Sequence, residues 1–133
     1  MTKAELREFC RLRAEAQQVA AMIRVVREQA TSAGTMNLSG MPPTGGVPDP
    51  VASAVARLDE LQRKYADLLA ELARRQGAIE DAIAVLDGIE RMVMRYRYIE
   101  GLTWQRVGEA VAYSDKQARR IHDRAAKRME EKT

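Results

Sequence analysis

The densest chemistry in this 133-residue chain lies in residues 113–128, where Lys116, Arg119, Arg120, Arg124, Lys127 and Arg128 stand against only Asp115 and Asp123. Arg and Lys donate to the acceptors of guanine, Gln pairs with adenine, and both cations neutralise phosphates. Read as a helix, the segment places Ala118, Ile121, Ala125 and Met129 on one face. Lys116, Gln117, Arg119, Arg120 and Asp123 then stand opposite. Lys116, Gln117 and Arg120 are the candidates for base edges. Arg119, Arg124 and Lys127 suit phosphates. The bland alternative is a solvated basic helix face.

Charge distribution favours the first reading. Residues 95–133 carry ten basic and six acidic side chains, whereas residues 1–94 carry twelve and thirteen. The overall net charge of +3 is weak, but the positive field is local to the C-terminus. Enzyme chemistry finds no support. One His and one Cys make no defensible nucleophile–base pair or metal-ligand spacing, so catalytic, cofactor-binding and metal-binding residues are all expected to be none. The Gly-rich stretch lacks the Gly-Lys-Ser/Thr of a phosphate loop. His122 is expected at the surface or facing phosphate, Trp104 in packing, and Cys10 packed rather than reactive.

The elements that must position this segment are helical. Thr2 and Glu5 have capping-box spacing, and Phe9, Leu12, Ala16, Val19, Ile23, Val26 and Ala30 follow at 3,4 intervals, predicting a helix over 2–30 with an a/d seam. Residues 31–49, with four Gly and three Pro, predict a long loop. Asp49 and Pro50 start a second helix, to residue 86, with Val51, Ala54, Leu58, Leu61, Tyr65, Leu68, Leu72, Ile79, Ala82 and Leu86 on its stripe and Arg75 interrupting it. Two one-faced helices predict an antiparallel hairpin, and surplus stripe predicts a homo-oligomer formed through this region. Asp87 and Glu90 repeat the cap spacing before a third helix over 88–99, with Ile89, Val93 and Tyr96 inward. Thr103 caps a short helix over 104–111, and Ser114 with Gln117 forms a second capping box. The fold class expected is all-α: a long, coiled-coil-like hairpin (1–86) followed by a helix-turn-helix domain (87–133).

The segment MVMRYRYIEGLTWQRVGEAVAYSDKQARRIHDRAAKRM resembles region 4 of bacterial sigma factors. The likeness lies in the R-Y-I-E-G-L-T run, in Val107-Gly108, and in Ser114 capping a helix with Ala118, Ile121 and Ala125 inward. It covers about 45 residues. It implies double-stranded DNA as partner, with Asp115, Lys116 and Arg120 at the base-reading positions. RNA polymerase is a further partner it raises. On physical grounds Thr103, Trp104, Gln105 and Arg106 open the preceding helix, where backbone N–H groups and Arg106 can meet the DNA backbone. Ala112 stands where that family has Gly; a positive φ there costs Ala about 1 kcal/mol. DPVASAV after the loop and RYIEGLTW…YSDKQARRIH are similar to small phage and prophage transcriptional regulators of the ArpU/RinA type. That likeness implies a phage transcription regulator. Two alternatives also join a helix-turn-helix to a helical hairpin: a small terminase-like packaging subunit, and a polymerase-binding adaptor. The charged N-terminus lacks the apolar core of a signal peptide, and no run approaches the ~20 apolar residues of a membrane span, so a cytoplasmic protein with no membrane partner is expected.

Overall fold

The computed structural model describes residues 1–37 and 49–131, and these are all helix, turn and connection with no strand. The elements are α1 (Lys3–Asn37), α2 (Pro50–Ile83), α3 (Gly88–Met94) running into a π-helical turn (Arg95–Ile99), α4 (Trp104–Val111) and α5 (Asp115–Glu131).

The helix starts follow their caps. Thr2 Oγ1 accepts from the Glu5 N–H at 3.2 Å, and Asp49 Oδ1 accepts from the Val51 N–H at 3.0 Å ahead of Pro50. The first helix ends later than the sequence predicts. Residues 31–37 were expected in the loop, yet α1 continues to Asn37. No proline falls before residue 42, one glycine costs a helix only about 1 kcal/mol, and Thr31 donates its hydroxyl back to the Arg27 carbonyl at 3.0 Å. The rest of the expected loop, 38–48, lies outside the described residues. The second helix ends earlier, at Ile83 rather than 86. Arg91 caps that end with its side chain, donating to the carbonyls of Leu86 and Ala84 at 2.8 Å each.

The chain divides into two compact units: residues 13–70, and residues 1–12 together with 71–133. This division differs from a boundary at 86/87. Within 13–70, Ala16, Val19, Ile23 and Val26 are buried, while Ala54, Leu58, Leu61, Tyr65 and Leu68 are half-buried. Lys64 pairs with Glu15 at 3.5 Å, and Arg57 shares a cleft with Met22, Val25 and Val26. Later residues of one helix meet earlier residues of the other, so the pair is antiparallel.

The second unit has two cores. One gathers Leu6 and Phe9 of α1, Ile79 and Ile83 of α2, and Leu86, Met94, Tyr98, Ala125, Ala126 and Met129. The ends of α1 and α2 therefore build the same core as α5, which is why the unit reaches back to residues 1–12. At roughly 1.5–3 kcal/mol for each large apolar side chain removed from water, Leu6, Phe9, Ile79 and Ile83 contribute substantially to holding α5. The other core is Val93, Val107, Val111, Ala118 and Ile121, with Ile89, Tyr96, Leu102 and Trp104 against it.

Between them lies a departure from the expected regular helix over 88–99. Residues 95–99 widen into a π turn, in which the Glu100 N–H reaches the Arg95 carbonyl at 3.0 Å. Tyr96 packs against the second of these cores while Tyr98, two residues on, is buried in the first.

Two residues set the α4–α5 turn. A Cβ on Gly108 would lie 2.6 Å from the Tyr113 carbonyl oxygen, so only Gly admits the returning backbone. Ala112 sits at φ 61°, the left-handed region, as its place after α4 requires. Gly108→Ala is predicted to destabilise the fold by about 1–3 kcal/mol through overpacking against backbone. Ala112→Gly is predicted to stabilise it by about 0.5–1 kcal/mol by relieving the left-handed cost. Thermal melts of the two variants, moving in opposite directions from wild type, check both.

Candidate nucleic-acid interface

The turn that aims α5 is fixed by short local bonds. Thr103 caps α4, its Oγ1 accepting from the Arg106 N–H at 3.3 Å. After Val111 the Tyr113 N–H returns to the Gly108 carbonyl at 2.9 Å. Ser114 then starts α5 with a reciprocal cap. Its Oγ accepts from the Gln117 N–H at 3.1 Å, and the Gln117 side-chain oxygen accepts from the Ser114 N–H at 3.1 Å. Ala118, Ile121, Ala125, Ala126 and Met129 are buried beneath the helix.

All ten residues singled out from the sequence — Thr103, Gln105, Arg106, Asp115, Lys116, Gln117, Arg119, Arg120, Arg124 and Lys127 — are exposed, but they do not form one set. At about 100° per residue, Lys116, Arg120 and Lys127 share the centre of the face opposite the buried stripe, with Asp123 beside them toward the Arg119 edge. Gln105 and Arg106 lie on the first turn of α4. Gln117 spends its side-chain oxygen on the cap, so its expected adenine contact competes with seating the helix. Thr103 likewise acts as a cap. Arg119 turns to the side, its guanidinium 5.7 Å from the centre of the Trp104 ring.

Arg124 is the largest surprise. Its Nε lies 3.8 Å from Glu90, and Arg128 reaches the other oxygen of that carboxylate at 3.5 Å. Glu90 is only 6% exposed, and its Oε2 has no hydrogen-bond partner among the described residues. The sequence suggested a helix-start role for it, but Asp87 makes no side-chain cap and Glu90 is instead an inward charge on α3. Two arginines of α5 thus sit over a desolvated carboxylate, which ties α3 to α5 and draws Arg124 away from the centre of the face.

His122 is not the surface residue expected. It is half-buried, with the Tyr98 hydroxyl donating to its Nε2 at 2.5 Å and its Nδ1–H donating to Asp123 at 3.1 Å. Trp104 meets the ring edge-on at 5.0 Å, which bears out the packing reading for the tryptophan. The Asp123 carboxylate holds a proton on Nδ1, and in the neutral ring that burial favours Nε2 is left to accept from the phenol. Burial lowers the His122 pKa below the ordinary histidine value, against the opposing pull of Asp123. Burial likewise pushes the Tyr98 phenol up, so it stays a donor. Among the described residues, no group of three or more His, Cys, Asp or Glu is placed to hold a metal ion. No helix among them is long and apolar enough to cross a membrane.

A three-helix arrangement with a tight left-handed turn before an exposed, basic last helix defines a helix-turn-helix. The comparison with known families agrees: residues 82–131 match the model of sigma-70, region 4. The C-terminal part of the chain is therefore a sigma region 4-like helix-turn-helix. No curated protein and no solved structure matches the chain.

The histidine supplies a test of this packing. Because its folded pKa is depressed, the unfolded chain takes up more protons once the pH falls below about 6.5, and stability falls with pH in that range. The melting temperature is predicted to drop between pH 7 and pH 5 in wild type, and to drop less in His122→Gln. Equal slopes for the two proteins would contradict the placement of the ring.

Proposed function

We propose that this protein is a transcriptional regulator of phage or prophage origin that binds duplex DNA and reads its sequence through α5. The observation that carries the reading is the exposed face of α5. Lys116, Arg120 and Lys127 stand at its centre, on a helix whose opposite side is locked into two cores. The likeness of residues 82–131 to sigma region 4 supports the docking mode, with the start of α5 in the major groove. The resemblance to ArpU/RinA-type regulators supports the biological role. Lys116 and Arg120 read base edges. Asp115, beside them at the start of the helix, selects against a phosphate or an acceptor at its position. Lys127, Arg119 and Arg106 contact phosphates, with Gln105 beside them on the first turn of α4. The α4 cap at Thr103 leaves backbone N–H groups at that helix start for the DNA backbone.

The geometry separates Arg120 from Arg124. Arg120→Ala is predicted to cost about 1–3 kcal/mol on the preferred sequence, to relax selection at one base pair and to leave the melting temperature nearly unchanged. Lys127→Ala is predicted to weaken all sequences alike and to lower the salt slope by about one unit. Arg124→Ala is predicted to lower stability by about 1 kcal/mol, because it strips one cation from a buried carboxylate. Binding to matched and mismatched duplexes over a salt series, with melts alongside, reads all three. If Arg120→Ala and Lys127→Ala bind like wild type, α5 contacts a protein surface such as polymerase instead, the adaptor alternative.

We further propose that copies of the chain meet through residues 13–70. Met22, Val25, Val55 and Leu69 are exposed there, Val25 at 51% and Val55 at 54%. Val25→Asp with Val55→Asp is predicted to reduce the particle size by light scattering while leaving helix content intact. A ring of many copies would favour the packaging alternative over a regulator, and an unchanged size would refute this contact surface.

A further inference from the structure

Residues outside the sigma region 4-like segment also border its exposed face. Lys3 and Arg7, on the first two turns of α1, line a cavity of about 410 Å³ with Cys10, Arg97, Tyr98, Trp104 and His122. Three of these seven side chains are cationic and none is a carboxylate. Neither Arg7 nor Arg97 has a salt-bridge partner among the described residues. Arg97 is held in place, donating to the Leu102 carbonyl at 2.9 Å and lying 4.6 Å from the centre of the Trp104 ring. The cavity thus carries cations from α1 and the π turn, and Arg119 of α5 lies over the same indole, 5.7 Å from its centre.

The position relative to α5 is fixed by one contact. The Lys3 ammonium lies 3.6 Å from Asp123. Asp123 belongs to the same exposed stripe as Lys116, Arg120 and Lys127, about one turn beyond Arg120. Lys3 therefore stands at the edge of the face that the proposed function lays into the groove, about where the sugar-phosphate backbone bounds it. Asp123, which partly neutralises Lys3, also holds His122, so its charge is shared.

We propose that Lys3 and Arg7, with Arg97 behind them, form a second contact with duplex DNA, clamping a backbone phosphate beside the groove that receives α5. The inference rests on the DNA-binding reading and extends it to a part of the chain that the family match does not include. The ligand chemistry is the phosphodiester, since the cluster presents charge and no base-specific pattern. It also gives the packing of α1 against Ile79, Ile83 and Met129 a functional consequence, because that packing brings Lys3 and Arg7 to the interface.

The test is binding of the full chain to a mixed-sequence duplex and to a selected duplex over a salt series. Lys3→Gln with Arg7→Gln is compared with Arg11→Gln with Arg74→Gln, which removes the same charge from exposed positions paired to Glu8 and Glu71. The first pair is expected to weaken both duplexes by the same factor and to lower the salt slope by about one to two units. The control pair is expected to leave the slope within half of that change. Arg7→Gln alone preserves the Lys3–Asp123 contact and is expected to lower the slope by about one unit, so a folding defect in the double variant does not hide the result. Equal effects in the two double variants would show long-range charge rather than a contact and overturn the inference. So would wild-type binding by Arg7→Gln and the Lys3/Arg7 pair while Arg120→Ala weakens binding, which leaves the DNA-reading helix standing. A wild-type protein that binds neither duplex at low salt would overturn both readings together.

Discussion

The structure of residues 71–131 depends on one helix burying its inner side in two cores at once while keeping the other side charged. Ala118 and Ile121 close the helix-turn-helix core, and Ala125, Ala126 and Met129 close the core shared with α1 and α2. The three alanines are at most 1% exposed, so their small side chains set how closely neighbouring backbone approaches α5. A larger residue at any of them would push the helix outward and tilt its exposed face. The basic residues owe their common orientation to this stripe rather than to contacts among themselves. The cap at Ser114 and the left-handed Ala112 fix only where the helix begins.

Much of this was legible because it is local and periodic. The burial of Phe9, Leu12, Ala16, Val19, Ile23 and Val26 follows from 3,4 spacing, and the capping pairs at Thr2 and Ser114 follow from side-chain chemistry over four residues. The short α4 and the turn after it were readable from Thr103, Gly108 and Ser114 together. What was not legible is non-local. The widening at residues 95–99, where the Glu100 N–H reaches the Arg95 carbonyl, leaves no mark in cap chemistry or in 3,4 spacing. His122 lies in a basic helix and reads as solvated. Its burial comes from Tyr98 and Trp104, 24 and 18 positions away. Glu90 fits a cap pattern that the backbone does not use. The late end of α1 is a smaller case: of the four glycines and three prolines in 31–49, only Gly34 falls before residue 38, so the breaker composition does not extend to 31–37.

Electrostatics divides the arginines of α5 by side. One flank faces Glu90, where Arg124 and Arg128 offset a charge removed from water. The other faces Trp104 and the start of α1, where Arg119 and Arg97 lie against the indole. The crest keeps Lys116, Arg120 and Lys127. A count of basic residues treats these as equivalent, whereas the fold assigns them to holding the helix, shaping its edge and presenting charge outward. Asp123 sits where crest and edge meet and joins the ionic contacts of α1 to the hydrogen bonds of His122. Its carboxyl is held below the usual carboxylate range chiefly by the His122 hydrogen bond.

The central claim is that the crest of α5 enters duplex DNA. A titration of the isotopically labelled chain with a selected duplex, followed by backbone amide resonances, tests it most directly. The account predicts the largest shifts at residues 115–120, with smaller shifts at the start of α4, and residues 13–70 unmoved apart from line broadening. Shifts confined to residues 13–70, or an α5 whose resonances stay in place as the duplex is added, would contradict it.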